Sequence, residues 1–308
     1  MILLADIGAT NARFSVTNGG PLYEHSDNLQ VSEYNSLQEL CIKYLEKYQL
    51  KDKVNKAVIG VAAPVINDEV SFVNASISFS TQELKEELFK KGLIVINDLA
   101  LQAHALQSLE ENEFSHIGVK KDQLNGPKIL ISPGTGLGLA GIVNQDIIAT
   151  EAGHLNIPQK EKESDLKKII DFFMVSNNRA PTYEDFLSGK GIKFFYETLS
   201  EGKGEYLSSK EILENKDPCK NCINTRVLLV HLLASYLRYV ALVWGSTGGV
   251  YLSGSIANSL ITKETFQSFR EIFEESETMQ NLLKSIPLIL VTIEDIGLRG
   301  ALEISKKL

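Results

Sequence analysis

Ile2-Leu3-Leu4-Ala5-Asp6-Ile7-Gly8-Ala9-Thr10-Asn11-Ala12-Arg13-Phe14-Ser15-Val16 opens the chain as two largely apolar runs around a short polar bend. With Asn18-Gly19-Gly20-Pro21 ending the second run, the pattern predicts a β-hairpin whose bend is acidic and contains glycine. At such a bend, backbone N–H groups, the Thr10 hydroxyl and the Asp6 carboxylate can surround one point. Phosphate takes the donors, and Mg2+ with its waters takes the carboxylate. The same residues also suit an ordinary tight turn.

A second unit of this kind begins at the apolar run Lys128 to Ser132, followed by Pro133-Gly134-Thr135-Gly136-Leu137-Gly138 and a hairpin over Leu139 to Val143 and Ile147 to Thr150. Three glycines let a backbone approach an anion with no Cβ in the way. Gly136 to Gly141 also fits the dinucleotide pattern GxGxxG, but that pattern requires a helix to start on the glycines, and the next residues read as a strand. The chain contains no GxxxxGK[ST] loop.

Between and beyond the two bends, helices and strands alternate. Leu37, Leu40, Cys41, Tyr44, Leu45 and Tyr48 are at helical spacing over Ser36 to Tyr48, and Ala57 to Val65 reads as a strand. Ser80 to Glu83 is a capping-box sequence. Leu93 to Ile96 is a short buried strand that ends on Asn97-Asp98, with helical spacing over Leu99 to Leu109. Lys160 to Lys168 reads as a solvated loop leading into a helix, and a long helix is predicted over Asn224 to Trp244. Further strands are expected at Val250 to Ser253 and Leu288 to Thr292, and a closing helix at Gly297 to Leu308. The expected organisation is two α/β domains: a small one over residues 1–107 plus 294–308, and a large one over 108–293.

At 308 residues, with 44% hydrophobic and 23% charged residues, the composition is that of a globular protein with a substantial core. A net charge of −8 argues against nucleic acid as a partner. No run of about 18 apolar residues occurs, so no membrane span is expected, and Asp6 with no basic leader argues against a secretory signal. Cys41, Cys219 and Cys222 fit a reducing, cytoplasmic compartment. The pair at 219 and 222 lacks the further ligands of a closed zinc site, so a packing role at a helix start is expected there, rather than metal or redox chemistry.

Asn97-Asp98 stands where open α/β sheets place their chemistry, at the carboxyl end of a strand. A carboxylate there can accept the proton of an attacking hydroxyl, or it can cap the next helix. Glu151-Ala152-Gly153-His154 offers an acceptor and a donor for sugar hydroxyls, although a histidine is also commonly structural.

Asp6 to Arg13, Val95 to Asp98, Gly134 to Gly138, Glu151 to His154, Glu184-Asp185-Phe186-Leu187-Ser188-Gly189 and Gly248 to Gly254 together resemble, in order, the motifs of bacterial glucokinases of the non-repressor type. The resemblance spans nearly the whole chain. It implies a two-domain actin-like ATPase (ribonuclease H-like) fold with an interdomain cleft, and ATP-dependent phosphorylation of glucose at the 6-hydroxyl, the entry to glycolysis. It assigns Asn97, Asp98, Glu151, His154 and Glu184 to the sugar, with Asp98 as catalytic base. Asp6, Gly8, Thr10, Asn11, Gly134, Thr135, Gly136, Gly138 and Gly254 would face ATP, and Asp6 would face Mg2+ through water. It also implies a homodimer. The alternatives are a kinase of another hexose and a non-catalytic sugar sensor on the same fold. A sensor would carry a DNA-binding appendage or lack Asp98; a nucleotide-dependent oxidoreductase would have to use the GxGxxG match. Ala9, Ala152 and Ser255 stand where these glucokinases usually carry glycine, a change that costs little where φ is negative. The cysteine-rich zinc loop of the repressor-related sugar kinases is missing after His154.

Overall fold

A computed structural model describes residues 1–72, 77–158 and 164–308; part of the loop expected at 160–168 lies outside the described residues. The chain divides into two compact units, Met1–Glu110 with Asp295–Leu308, and Glu111–Glu294.

The first unit is built on a sheet of five strands, β1 (Ile2–Ile7), β2 (Asn11–Thr17), β3 (Glu24–Gln30), β4 (Lys56–Val61) and β7 (Gly92–Asn97), in the order β3-β2-β1-β4-β7. The pairings of β1 with β2 and β2 with β3 are antiparallel, whereas those of β1 with β4 and β4 with β7 are parallel. A small ribbon, β5 (Glu69–Ser71) and β6 (Ser78–Ser80), lies apart from this sheet. Every residue of β1 is buried, because both sheet faces are covered. The two-residue period sends Leu3, Ala5 and Ile7 into the core made with helix α1 (Leu37–Lys47). Ile2 and Leu4 point the other way, onto the closing helix Ile296–Ser305 through Leu298, Ala301 and Leu302. Asp6 shares their parity and faces that helix too.

One sequence expectation is corrected here, and one alternative reading is refined. Ser80 accepts from the Glu83 N–H at the start of α2 (Thr81–Glu87), but its hydroxyl donates to Asp68 at 2.6 Å instead of joining a reciprocal box. Asn97, not Asp98, is the N-cap of α3 (Asp98–Ala105): its Oδ1 accepts from the N–H groups of Leu99 and Ala100 at 3.0 and 3.1 Å. Asp98 is therefore the first residue of the helix.

The second unit repeats the meander joined to parallel strands. Its strands β8 (Phe114–His116), β9 (Lys128–Pro133), β10 (Leu137–Val143), β11 (Asp146–Thr150), β12 (Gly249–Leu252) and β13 (Leu288–Val291) are ordered β11-β10-β9-β12-β13-β8. Helices α4 (Asp165–Asn177), α5 (Tyr183–Phe186), α6 (Gly189–Leu199), α7 (Ser209–Glu214), α8 (Lys220–Trp244), α9 (Ser255–Leu260), α10 (Phe266–Glu274) and α11 (Gln280–Ser285) complete it. The glycines of the GxGxxG match enter β10, a strand paired antiparallel to β9, so no helix stands where a dinucleotide fold needs one.

Helix α8 begins four residues before its expected start, capped by Cys219, whose sulfur accepts from the Cys222 N–H at 3.4 Å. By length and composition alone it could cross a membrane, a test that a buried core helix also passes. More than half of its apolar window is buried, and Leu229, Leu233, Tyr236 and Leu237 lie in the core of the unit, as in a core helix of a globular domain.

Candidate active site

In the first unit, the strand register sets the positions. Ile7, Val61 and Asn97 are level across β1, β4 and β7, so the bend after β1 and the Asn97-Asp98 pair emerge on one edge, about 10 Å apart. The bend is closed by the Gly8 N–H donating to the Asn11 carbonyl at 2.9 Å. The Thr10 carbonyl accepts from the Val31 N–H, and Asn11 Oδ1 accepts from Gln30 Nε2 at 2.8 Å, which ties the bend to the last residue of β3 and its neighbour. Thr10 itself is exposed.

Asp6 is buried, with Arg13 Nη1 3.8 Å from its Oδ2 across the hairpin. Burial pushes its carboxyl up to about 6, with Arg13 opposing. A Cβ at Gly297, in the first turn of the closing helix, would collide with this carboxylate. The negative group therefore lies at a helix N-terminus, where the dipole favours it. A buried carboxylate so incompletely compensated suits a nearby hydrated cation. Among the described residues no three His, Cys, Asp or Glu side chains cluster as a metal cage. Mg2+ usually keeps several waters and is shared with substrate phosphates, so one carboxylate is a sufficient protein partner for it.

At the end of β7, Asn97 Nδ2 donates to Asp98 Oδ1 at 3.2 Å, and the Leu99 N–H reaches the same oxygen at 2.9 Å. With Asn97 as the N-cap, the Asp98 carboxylate is oriented by the Asn97 amide and the Leu99 N–H at the N-terminus of α3.

In the second unit, the glycine bend comprises 134–136, and Gly138 belongs to β10, opposite Ser132. Gly134 N–H donates to the Gly136 carbonyl at 2.8 Å. Both ends of the hexapeptide Glu184–Gly189 hold this bend. Glu184 Oε2 accepts from the Leu137 N–H at 2.8 Å, and the Gly189 N–H, at the start of α6, donates to the Gly134 carbonyl at 3.0 Å. Glu184 is itself fixed by a capping box between Thr182 and Asp185, with Arg179 paired to Asp185 at 2.6 and 2.7 Å.

The glycines of the bend have different causes. A Cβ at Gly136 would lie 2.6 Å from Glu184 Oε2, so a side chain there would have to displace that carboxylate. At Gly134 nothing stands within 4 Å, and its φ is not in the left-handed region, so neither packing nor conformation explains it. Open space over a glycine at a bend fits the close approach of a phosphate. Thr135, between them, is exposed.

The turn Ala152–His154 stands against the same bend, since a Cβ at Gly153 would strike the Leu137 carbonyl. His154 Nδ1 lies 4.0 Å from Glu184 Oε1, and Glu151 is exposed at the start of the turn. Gly136, Leu137, His154 and Glu184 thus form one cluster. Gly254 caps α9 with φ 91°, and its Cβ would come within 3.0 Å of Ser132 Oγ. Gly254 therefore sits beside the end of β9. Ala9, Ala152 and Ser255 all lie outside the left-handed region, so their side chains impose no backbone strain.

Gly297 is the site residue that the sequence analysis missed. Its signal was present: two glycines, Gly297 and Gly300, three apart in a helix, mark the close approach of another element.

The family model described as Glucokinase matches residues 3–307. A glucokinase of Helicobacter pylori (strain P12) is 32% identical over 320 residues, covering 97% of this chain and 94% of the relative. The crystal structure of a glucokinase from an Antarctic psychrotroph is similar with a TM-score of 0.78 and 27% identity, covering 98% of each chain. A ROK family glucokinase from Streptomyces griseus, solved in complex with glucose and AMPPNP, shares the fold at a TM-score of 0.69 and 15% identity, covering 98% of each chain. The mixed α/β architecture is thus that of the two-domain actin-like ATPases.

Proposed function

The chain belongs to the glucokinase family, and on that premise we propose that it transfers the γ-phosphoryl group of ATP to the 6-hydroxyl of glucose, with Asp98 as base. The observation that carries the base assignment is the Asn97-Asp98 pair at the end of β7. Asn97 is the N-cap, and Asp98, one residue on, presents a carboxylate that the Asn97 amide and the Leu99 N–H orient.

Asp98 accepts the proton of the 6-hydroxyl as that oxygen attacks phosphorus in line. Asn97, Glu151, His154 and Glu184 hold the sugar. Glu184 and His154 are fixed beside one another, so they offer hydroxyl groups an acceptor and a donor in one place. The N–H groups of the bends at Gly8–Thr10 and Gly134–Gly136 cradle phosphate oxygens, with Thr135 and Gly138 flanking the second bend and Asn11 the first. Gly254 lies toward the adenosine. Asp6 would hold Mg2+ through water, and the ion would supply charge neutralisation on the phosphates.

We further assign the protein to the non-repressor type, since no cysteine occurs between His154 and Cys219 to build a zinc loop. Its three free thiols suit the cytoplasm. A homodimer is the assembly proposed. The direct test is coupled detection of ADP release over a panel of hexoses with ATP, ADP and polyphosphate as donors. Turnover with ATP and glucose is expected at a kcat/KM above that with mannose, fructose or glucosamine. A higher value for another hexose would reassign the substrate.

A further inference from the structure

The Cys219 and Cys222 sulfurs are 3.2 Å apart across the first turn of α8. Cys219 is exposed, whereas Cys222 is buried in the core of the second unit. A disulfide requires about 2.05 Å, a shortening of about 1 Å that rotation of the exposed Cys219 side chain supplies. The two thiols stand in contact, one open to solvent and one behind it. That is the arrangement of an attacking and a resolving thiol, and phosphoryl transfer makes no use of it.

We propose that Cys219 and Cys222 are a reversible dithiol–disulfide site, oxidised by exchange with a small-molecule disulfide, with Cys219 as the attacking sulfur. The Cys219 thiolate attacks one sulfur of the disulfide RSSR; a Cys219–S bond forms and RS⁻ leaves, taking a proton from solvent. Cys222 then attacks the Cys219 sulfur, the Cys219–Cys222 bond forms, and the second RS⁻ leaves with the proton that Cys222 gives up. The protein dithiol loses two electrons and RSSR becomes two RSH.

The electrostatics support this order. Hydrogen bonds to the Cys219 sulfur, the largest effect coming from the Cys222 N–H, favour its thiolate and outweigh the opposing effect of burial; the Cys222 side chain, the Asn221 N–H and the Tyr196 hydroxyl add to them. Burial pushes the Cys222 thiol up to about 11, which keeps it protonated until the mixed disulfide is beside it. Cys41, buried and pushed up to about 12, is an internal control.

The test uses the full-length protein, reduced and then incubated with excess oxidised glutathione at neutral pH, before alkylation and peptide mass mapping. Free thiols are expected to fall from three to one, with a single disulfide linking 219 to 222 and Cys41 alkylated. Cys222→Ser is expected to trap one glutathione on residue 219, and Cys219→Ser to trap none, each variant being checked for a wild-type melting profile. Because the wild-type map needs no variant, the proposal stands or falls without them. Recovery of wild-type protein with all three thiols alkylated would overturn it, and so would modification of Cys41 ahead of Cys219.

Discussion

Glu184 Oε2 accepts the Leu137 N–H at 2.8 Å, so a carboxylate assigned to the sugar is anchored on the bend assigned to phosphate. The anchor is 47 residues away in sequence. It explains why glycine stands at 136 for packing, while glycine at 134 leaves space open.

The two glycines should therefore fail differently. Gly136→Ala places a methyl group 2.6 Å from Glu184 Oε2 and displaces it. A sub-ångström misplacement of a binding carboxylate should raise KM for glucose by about tenfold or more. Gly134→Ala meets no protein atom and should instead raise KM for ATP. Steady-state kinetics with each substrate varied checks this; equal effects on both substrates in both variants would refute the distinction.

Asp6 gives a pH dependence with a definite sign. Its carboxyl is raised from 3.8 to about 6 in the folded protein, so the folded state holds the proton more tightly than the unfolded one. Its contribution to stability is largest below about pH 4 and is lost as pH rises through about 6. Asp6→Asn should then stabilise the nucleotide-free protein on the order of 2 kcal/mol at pH 8, with the gain vanishing toward pH 4. Urea unfolding at both pH values measures it. A destabilised variant at pH 8 would mean that Arg13 and the helix terminus outweigh burial.

Gly300 faces the Leu101 backbone carbonyl so closely that a Cβ has no room. Gly300→Ala should push the closing helix off α3 and cost about 1–3 kcal/mol of stability, read as a lower denaturation midpoint. The methyl would be harmless if the helix could slide, and an unchanged midpoint would show that.

Much of this architecture was written in local pattern. The hairpin of β1 and β2, the bend after β9 and the presence of β7 arise from apolar runs broken by glycine and polar residues; β7, read as a buried strand, is instead a half-buried strand at the sheet edge. β3 did not show in this way, because Glu24–Gln30 is a polar edge strand with little apolar signal. The cysteine pair was expected at a helix start and Cys219 does cap one, but the periodic apolar run alone put the start of α8 at Asn224, because a cysteine is an uncommon N-cap. Asn97 and Asp98 are both good caps on paper, and only backbone geometry decides between adjacent candidates. The contacts of Glu184 with Leu137, and of Gly297 with Asp6, join residues far apart in sequence, which single-sequence periodicity does not record.

The central claim is that Asp98 takes the proton while its neighbours bind. Asp98→Asn keeps the size and part of the hydrogen bonding but removes proton acceptance, whereas Glu151→Gln weakens a contact present in ground and transition states alike. The decisive measurement is steady-state kinetics of both variants with glucose varied at saturating MgATP, after circular dichroism shows each folded. The account predicts that Asp98→Asn lowers kcat by about 10² to 10⁴ with KM for glucose little changed, and that Glu151→Gln mainly raises KM. A near-normal kcat in Asp98→Asn would contradict it and reduce Asp98 to a sugar ligand.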